Sequence, residues 1–267
     1  YHLITYLRSN ISMISSNYFV TLVLCALVVS AKSALKCSQL SDKSVPCVEI
    51  PRCTADVNNV ASITIDQLST GAGQSDATSV VSMCFTDTTL NLKHKAMGQK
   101  YLSPTTYTNC NDAIFYSDVA EFFVAPNMEE EPHCYNELDI SPYNVMFDSG
   151  IYNPNLNKTG VEGTTFPCSS SNITSSTDID MNKNQWEATM TFPFSLLNCP
   201  YDCPLKRYCG HDTPNEIYRA NFFRISQQTQ NTACSSSTCE YMAWNPTMVD
   251  PPAFHEPTKF GYLLLQL

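Results

Sequence analysis

Between Ser62 and Leu265, clusters of Pro, Gly, Asn, Asp and Ser cut the chain into short runs rich in β-branched and aromatic residues, and this punctuation constrains the fold most. The runs are Ser62 to Ile65, Val80 to Phe85, Thr89 to Leu92, Val119 to Val124, Tyr135 to Ile140, Val145 to Phe147, Glu187 to Phe192, Tyr218 to Ile225 and Tyr262 to Leu265. No comparable stretch carries the 3.6-residue apolar period of a helix, so the fold class expected is all-β. Nine such runs predict a single antiparallel β-sandwich, jelly-roll-like, of about nine to ten strands. Phe194 to Leu197 is the one place where a helical turn is expected.

The cysteines predict how that sandwich is held. Tyr18 to Val29, YFVTLVLCALVV, is too short an apolar run to span a bilayer comfortably and is followed by small residues, the pattern of a secretory signal peptide spanning residues 13 to 33. Residues 1 to 12 then read as upstream sequence, with Met13 as the start. Of the thirteen cysteines, Cys25 leaves with the leader. The twelve that remain are Cys37, Cys47, Cys53, Cys84, Cys110, Cys134, Cys168, Cys199, Cys203, Cys209, Cys234 and Cys239. An even set in an exported chain reads as a disulfide framework, with local bridges expected among Cys199, Cys203 and Cys209 and between Cys234 and Cys239. No Cys-x-x-Cys occurs and His211 is the only histidine nearby, so no zinc site is expected.

Domain organisation follows from the same signals. Residues 34 to 61 form a Cys-rich lead-in, and 62 to 267 form the sandwich. The polar stretch 153 to 184 reads as a long excursion carrying two glycosylation sequons, at Asn157 and Asn172. The leader takes Arg8 and Lys32 from the 15 basic residues and none of the 25 acidic ones, which leaves a net charge of −12. Such a surface repels polyphosphates and anionic lipid, so neither nucleic acid nor membrane is an expected partner of the processed chain, whereas a neutral polysaccharide meets no such barrier.

Alternation assigns faces. In Val119 to Val124, Ala120, Phe122 and Val124 share one face and Glu121 and Phe123 the other; in Tyr135 to Ile140, Glu137 and Asp139 oppose Leu138 and Ile140. Carboxylates of two strands are thereby displayed together, and the simplest expectation for them is a solvated or ion-paired face. Arg219 and Asn221 are co-facial on the run Tyr218 to Ile225. Saccharide recognition needs a flat aromatic to stack on a pyranose and planar polar groups to bridge its hydroxyls. Trp244 and Asn245, with Arg219 and Asn221, provide both kinds, the alternative for Trp244 being a core ring beneath a loop.

Five segments, SDVAEFFVAP (Ser117 to Pro126), YNELDISPYN (Tyr135 to Asn144), WEATMTFPFSLL (Trp186 to Leu197), YRANFFRI (Tyr218 to Ile225) and YMAWNPTMVDPPAFHEPTKFGYLLL (Tyr241 to Leu265), occur in an order that resembles a family nine-like carbohydrate-binding module. The resemblance covers roughly Ser62 to Leu265. It implies a secreted, non-catalytic binder of a glycan or polysaccharide, with Trp244, Asn245, Arg219, Asn221 and Glu121 as the expected contacts. Members of that family clamp a sugar between two tryptophans; here the other tryptophan, Trp186, opens a strand patterned for burial.

Other functions compete with this one. An extracellular interaction or structural sandwich would keep the fold without the sugar site. Glu121, Glu137 and Asp139 are the candidate acid and nucleophile of a glycoside hydrolase, which needs two carboxylates. A haem-binding sandwich would use Met and His ligands, for which Met146, Met190, Met242, His133, His211 and His255 are available. No cofactor is expected, although Asp66, Asp87 and the run Glu129 to Glu131 are candidates for a structural calcium. The chain has neither a phosphate-binding loop nor a nucleophile-elbow motif.

Overall fold

The computed structural model describes residues 34–56, 58–102, 106–126, 131–198, 212–230 and 233–267. The leader and Cys199, Cys203 and Cys209 lie outside these residues. Thirteen strands are present among the described residues: β1 (Cys47–Ile50), β2 (Ala61–Leu68), β3 (Gln74–Phe85), β4 (Thr89–Met97), β5 (Val119–Ala125), β6 (Cys134–Ile140), β7 (Met146–Tyr152), β8 (Glu162–Thr165), β9 (Thr174–Asp180), β10 (Gln185–Pro193), β11 (Ile217–Gln227), β12 (Cys239–Ala243) and β13 (Gly261–Leu265). The predicted helical turn is α1 (Phe194–Leu197). The strand count therefore exceeds the nine to ten expected. The four additional strands, β1, β8, β9 and β12, are short or lie at an edge, where side chains need not alternate between core and solvent.

The hydrogen-bonded order is β8-β7-β6-β5-β11-β12-β2-β3-β4-β10-β9, antiparallel throughout. β13 pairs with the first part of β11, and β1 lies parallel beside β13. The lead-in is thus part of the sheet. The curled sheet folds into two layers at β12, which makes five pairs with β11 and two with β2. Inward residues from both layers form one core: Ile63 and Ile65, Val81, Met83 and Phe85, Leu90 and Leu92, Phe122, Leu138, Trp186, Met190, Phe192, Phe222 and Leu263. Each recurs at every second position of its strand, as the pleat requires. On β10 the intervening residues face out, where Glu187 pairs with Lys93 and Lys95 of β4.

The layer formed by β5, β6, β7 and β11 is covered on its other face too. All residues of β5 and β11 are buried, because loops close over the outer face and build a second apolar cluster around Phe123, Tyr135, Phe223, Phe254 and Phe260. Disulfides fasten these parts, among them Cys37–Cys47 in the lead-in, Cys53–Cys84 onto β3, Cys110–Cys168 between two loops and Cys234–Cys239 at the start of β12. The last is the local bridge expected from its spacing. Cys134 is disulfide-bonded as well.

Arg224 is the polar centre of the sandwich. From β11 it donates hydrogen bonds to the carbonyls of Thr78 at 2.7 Å and Met97 at 2.9 Å and to Gln99 Oε1 at 2.9 Å. Gln99 in turn accepts from the buried Trp186 indole at 3.3 Å and donates to Asp118 at 2.7 Å. A cation buried this deeply is tolerated because the opposite layer fixes these acceptors around it; burial brings its pKa down to about 10. We expect Arg224→Met to cost about 3–5 kcal/mol, since it leaves those acceptors unpaired. Chemical unfolding of the two proteins measures the difference, and a loss below about 1 kcal/mol would contradict this role for Arg224.

Candidate saccharide-binding cleft

The register of the outer face brings acidic and aromatic residues together. Along one row Phe147, Asp139, Glu121, Phe223 and Ala243 are neighbours across β7, β6, β5, β11 and β12; along the next, Thr165, Ser149, Glu137, Phe123 and Asn221 are. Above them opens a cavity of about 430 Å³. Its floor includes Glu121, Phe123, Glu137, Ser149, Ile151 and Ile225. Its walls include Phe115 and Tyr116 from one loop, Pro252 to His255 from another, Phe147 from β7 and Tyr241 from β12.

Each wall is held by local structure. Asn111, in the left-handed region at φ 66°, accepts from Asp148 N at 2.9 Å and donates to Phe166 O at 2.8 Å, which ties the loop leading to Phe115 onto β7. The Cys110–Cys168 bridge fastens the same loop. Phe115 then meets Phe147 edge-on at 5.4 Å. On the opposite wall Phe254 stacks on Phe223 at 4.2 Å and receives the edge of Tyr241 at 6.0 Å. His255 hydrogen-bonds through Nδ1 to the Tyr135 hydroxyl at 2.9 Å, and Asn153 Nδ2 donates to its carbonyl at 3.1 Å. Burial lowers its pKa to about 4, so the ring is neutral.

The three carboxyl groups are not the solvated face expected of them. Glu121, Glu137 and Asp139 are 4%, 7% and 1% exposed, because the loops seal the sheet above them. One oxygen from each lies within 4.8 Å of the others. Both Asp139 oxygens and Glu121 Oε1 have no hydrogen-bond partner. Burial first, and neighbouring carboxylates second, push the Glu121 and Asp139 pKa values well up; burial pushes Glu137 to about 8. At neutral pH the cluster holds protons.

Of the residues singled out for saccharide contact, Glu121 lines this cleft. The other four lie elsewhere. Arg219 is buried, its guanidinium over the Tyr262 ring at 4.6 Å and its Nε and Nη2 donating to Phe260 O at 3.0 and 2.6 Å. Asn221 exchanges two hydrogen bonds with the backbone of Asn245, at 2.8 and 3.1 Å, and Asn245 Nδ2 donates to Lys259 O at 2.7 Å. These three side chains fix the course of the chain from Trp244 to Phe260. Trp244 itself points to the inter-layer core, edge-on to Phe222 at 6.0 Å, and lies so close over Gly261 that a Cβ there would stand 2.6 Å from its ring. Alternation along β12 explains this, since Met242 and Trp244 face the core while Tyr241 and Ala243 face the cleft.

The remaining candidates fall outside the cleft. Trp186 is buried beneath a stacked His94 at 5.8 Å. Met190 and Met242 are core residues, and His133 Nδ1 is hydrogen-bonded to Asn153 O. Asp87 pairs with Arg52 at 2.5 Å, Asp66 lies on β2, Glu131 is exposed, and Glu129, Glu130 and His211 lie outside the described residues. Asn172 is exposed, whereas Asn157 is half-buried and its Oδ1 accepts from Thr159 N and Oγ1 at 2.8 and 2.6 Å. The sequence reading missed Phe115, Tyr116, Phe147, Tyr241 and Phe254. For Phe115, Tyr116 and Phe254 the signal is aromatic density in the segments IFY and PAF, which has no strand period to reveal it, whereas Phe147 and Tyr241 lie on β7 and β12, where alternation gives the face.

Two predictions follow from this arrangement. We expect Trp244→Ala to cost about 3 kcal/mol through lost packing; unchanged stability with loss of saccharide binding would instead put the ring on a binding surface. The second concerns pH. A carboxyl whose folded pKa exceeds its unfolded value keeps a proton that the unfolded chain releases, so stability falls as pH rises from the ordinary Glu value of 4.5 through about 8. His94, lowered to about 3, and His255 act oppositely, but only below their ordinary value of 6.5. Thermal unfolding should therefore give a Tm that drops by several degrees between about pH 6.5 and 8. Glu137→Gln should flatten the drop; an unaltered slope would contradict the assignment.

Comparison with known proteins agrees with this architecture. A curated relative, an extracellular protein of Arthroderma benhamiae, is 28% identical over 244 residues, covering 87% of this chain and 95% of its own. A proposed carbohydrate-binding protein of Bacteroides uniformis has a similar fold, with a TM-score of 0.61 and 15% identity over 83% of this chain and all of its own. So does a carbohydrate-binding module of Caldicellulosiruptor kristjanssonii solved with cellotriose, with a TM-score of 0.50 and 12% identity over 83% of this chain and 94% of its own. The sequence model of carbohydrate-binding family 9 matches residues 52–265, and the chain belongs to that family.

Proposed function

We propose that this protein is an extracellular, non-catalytic saccharide binder and that its binding surface is the aromatic cleft above β5 to β8. The observation that carries the reading is the meeting, on one sheet face, of exposed ring surfaces with hydrogen-bonding groups at their base. Phe115, Tyr116 and Tyr241 present flat apolar faces for a pyranose, and Glu121, Glu137 and Ser149 lie beneath to take its hydroxyls. Family membership and the cellotriose-bound module support a saccharide as ligand. The extracellular relative and the disulfides support an exported chain. Arg219, Asn221, Asn245 and Trp244 serve by shaping the loop that carries Phe254 and His255. Glu121 is the residue of the original set that touches the ligand.

A broad glycan array with the purified chain tests this. Phe115→Ala and Tyr241→Ala should each weaken binding about tenfold or more, with smaller effects on Tm than Trp244→Ala, because their rings line the cleft whereas Trp244 packs against the inter-layer core. A wild-type chain that binds no glycan would favour an interaction or structural sandwich that lacks a sugar site. Hydrolysis of a bound glycan that Glu121→Gln abolishes would overturn the non-catalytic reading.

A further inference from the structure

The carboxyl cluster poses a problem that a neutral sugar does not solve. Three acidic side chains share one buried spot, and among the described residues no lysine or arginine forms an ion pair with any of them. Asp139 has neither oxygen hydrogen-bonded, and Glu121 leaves Oε1 unpartnered; both side chains are more than nine-tenths buried, Glu121 lining the cleft and Asp139 set behind it as its register partner on β6. Unsatisfied buried acceptors of this kind cost free energy unless a donor or a cation arrives. We infer that the cleft of this protein selects a saccharide bearing a protonated primary amine, a 2-amino sugar unit, whose ammonium group docks on Glu121, Glu137 and Asp139.

The inference rests on the saccharide reading of the cleft given above and specifies its ligand class. Geometry favours an ammonium. A primary ammonium carries three donors, and with N···O distances of about 2.8 Å in tetrahedral directions its three acceptors stand about 4.6 Å apart. The oxygens of the cluster lie within 4.8 Å of one another. The surroundings favour it too. A calcium ion takes roughly six to eight oxygen ligands. Beyond the carboxyl groups, the cleft offers few oxygens and many rings, among them Phe115, Phe147, Phe254 and Tyr241. Aromatic faces stabilise an organic cation while leaving a hard metal ion short of ligands. The raised carboxyl pKa values fit a site that waits for a cation and releases protons when one arrives.

Titration calorimetry of the full chain with oligomers of glucosamine, N-acetylglucosamine and glucose, at about pH 6 where a sugar amine is protonated, tests the inference. The glucosamine oligomer should bind at least about tenfold more tightly than either neutral oligomer. Asp139→Asn and Glu121→Gln should each erase that preference. Both substitutions preserve shape and remove a buried acid, so each variant should keep its Tm at neutral pH, and competition between glucosamine and glucose monomers on the wild type gives a reading that depends on no variant. Equal affinity for charged and neutral oligomers would overturn the inference while leaving saccharide binding intact. Failure of every saccharide to bind would overturn both. Tight uptake of calcium or magnesium alone, abolished by Asp139→Asn and unaccompanied by amine selectivity, would make the cluster a metal site and also overturn the inference.

Discussion

β11 runs through the middle of the molecule with every residue buried, so each of its side chains must find a partner inside the protein. On one side Tyr218, Ala220 and Phe222 enter the inter-layer core, and Arg224 gathers carbonyls from the opposite layer. On the other side Arg219 and Asn221 capture the returning chain, while Phe223 and Ile225 make a floor. The strand also pairs with β5 along one edge and with both β13 and β12 along the other. Its position thereby decides where the layers meet, how the loop from Trp244 to Phe260 is routed, and where the cleft opens.

The same double burial explains the chemistry of the cleft. A sheet face left to solvent would hold Glu121, Glu137 and Asp139 as ordinary surface carboxylates. The loops laid over it remove water and, among the described residues, bring no lysine or arginine into the lining, and the acids respond by retaining protons. Two of the disulfides fasten this cover: Cys110–Cys168 ties the loop that leads to Phe115, and Cys234–Cys239 closes the turn that enters β12. Oxidation in an exporting compartment would therefore complete the cleft as much as stabilise the fold.

Much of this was readable before the coordinates. The alternation in β5 and β6 correctly separated Phe122 and Leu138 from Glu121, Glu137 and Asp139, and the pattern of β10 correctly buried Trp186. What escaped was set by tertiary cover rather than by local period. β9, with Ser, Thr and Asp at most positions, has no apolar alternation to mark it as a strand. The burial of the acids depends on loops distant in sequence. The chemistry of Trp244 suits a stacking residue, yet counting by twos from Tyr241 puts the two rings on opposite faces. Phe115, Tyr116 and Phe254 lie outside the strands, where no alternation announces which way a ring will turn.

β8 and β9 bound the sheet, and each has one neighbour in the strand order. An unpaired strand offers a row of free amides and carbonyls to any other chain, the starting point for runaway association. Every residue of β8 is exposed, and its sequence EGTT has no large apolar side chain to hold an incoming strand. β9 carries Asp178 and Asp180 in a Ser- and Thr-rich run, and the exposed Asn172 sequon lies just before it. A sugar chain added there would stand beside the open edge as a steric guard. So glycosylated, the polar excursion would have a use independent of any ligand, since it would keep the open edges of an all-β protein from meeting one another.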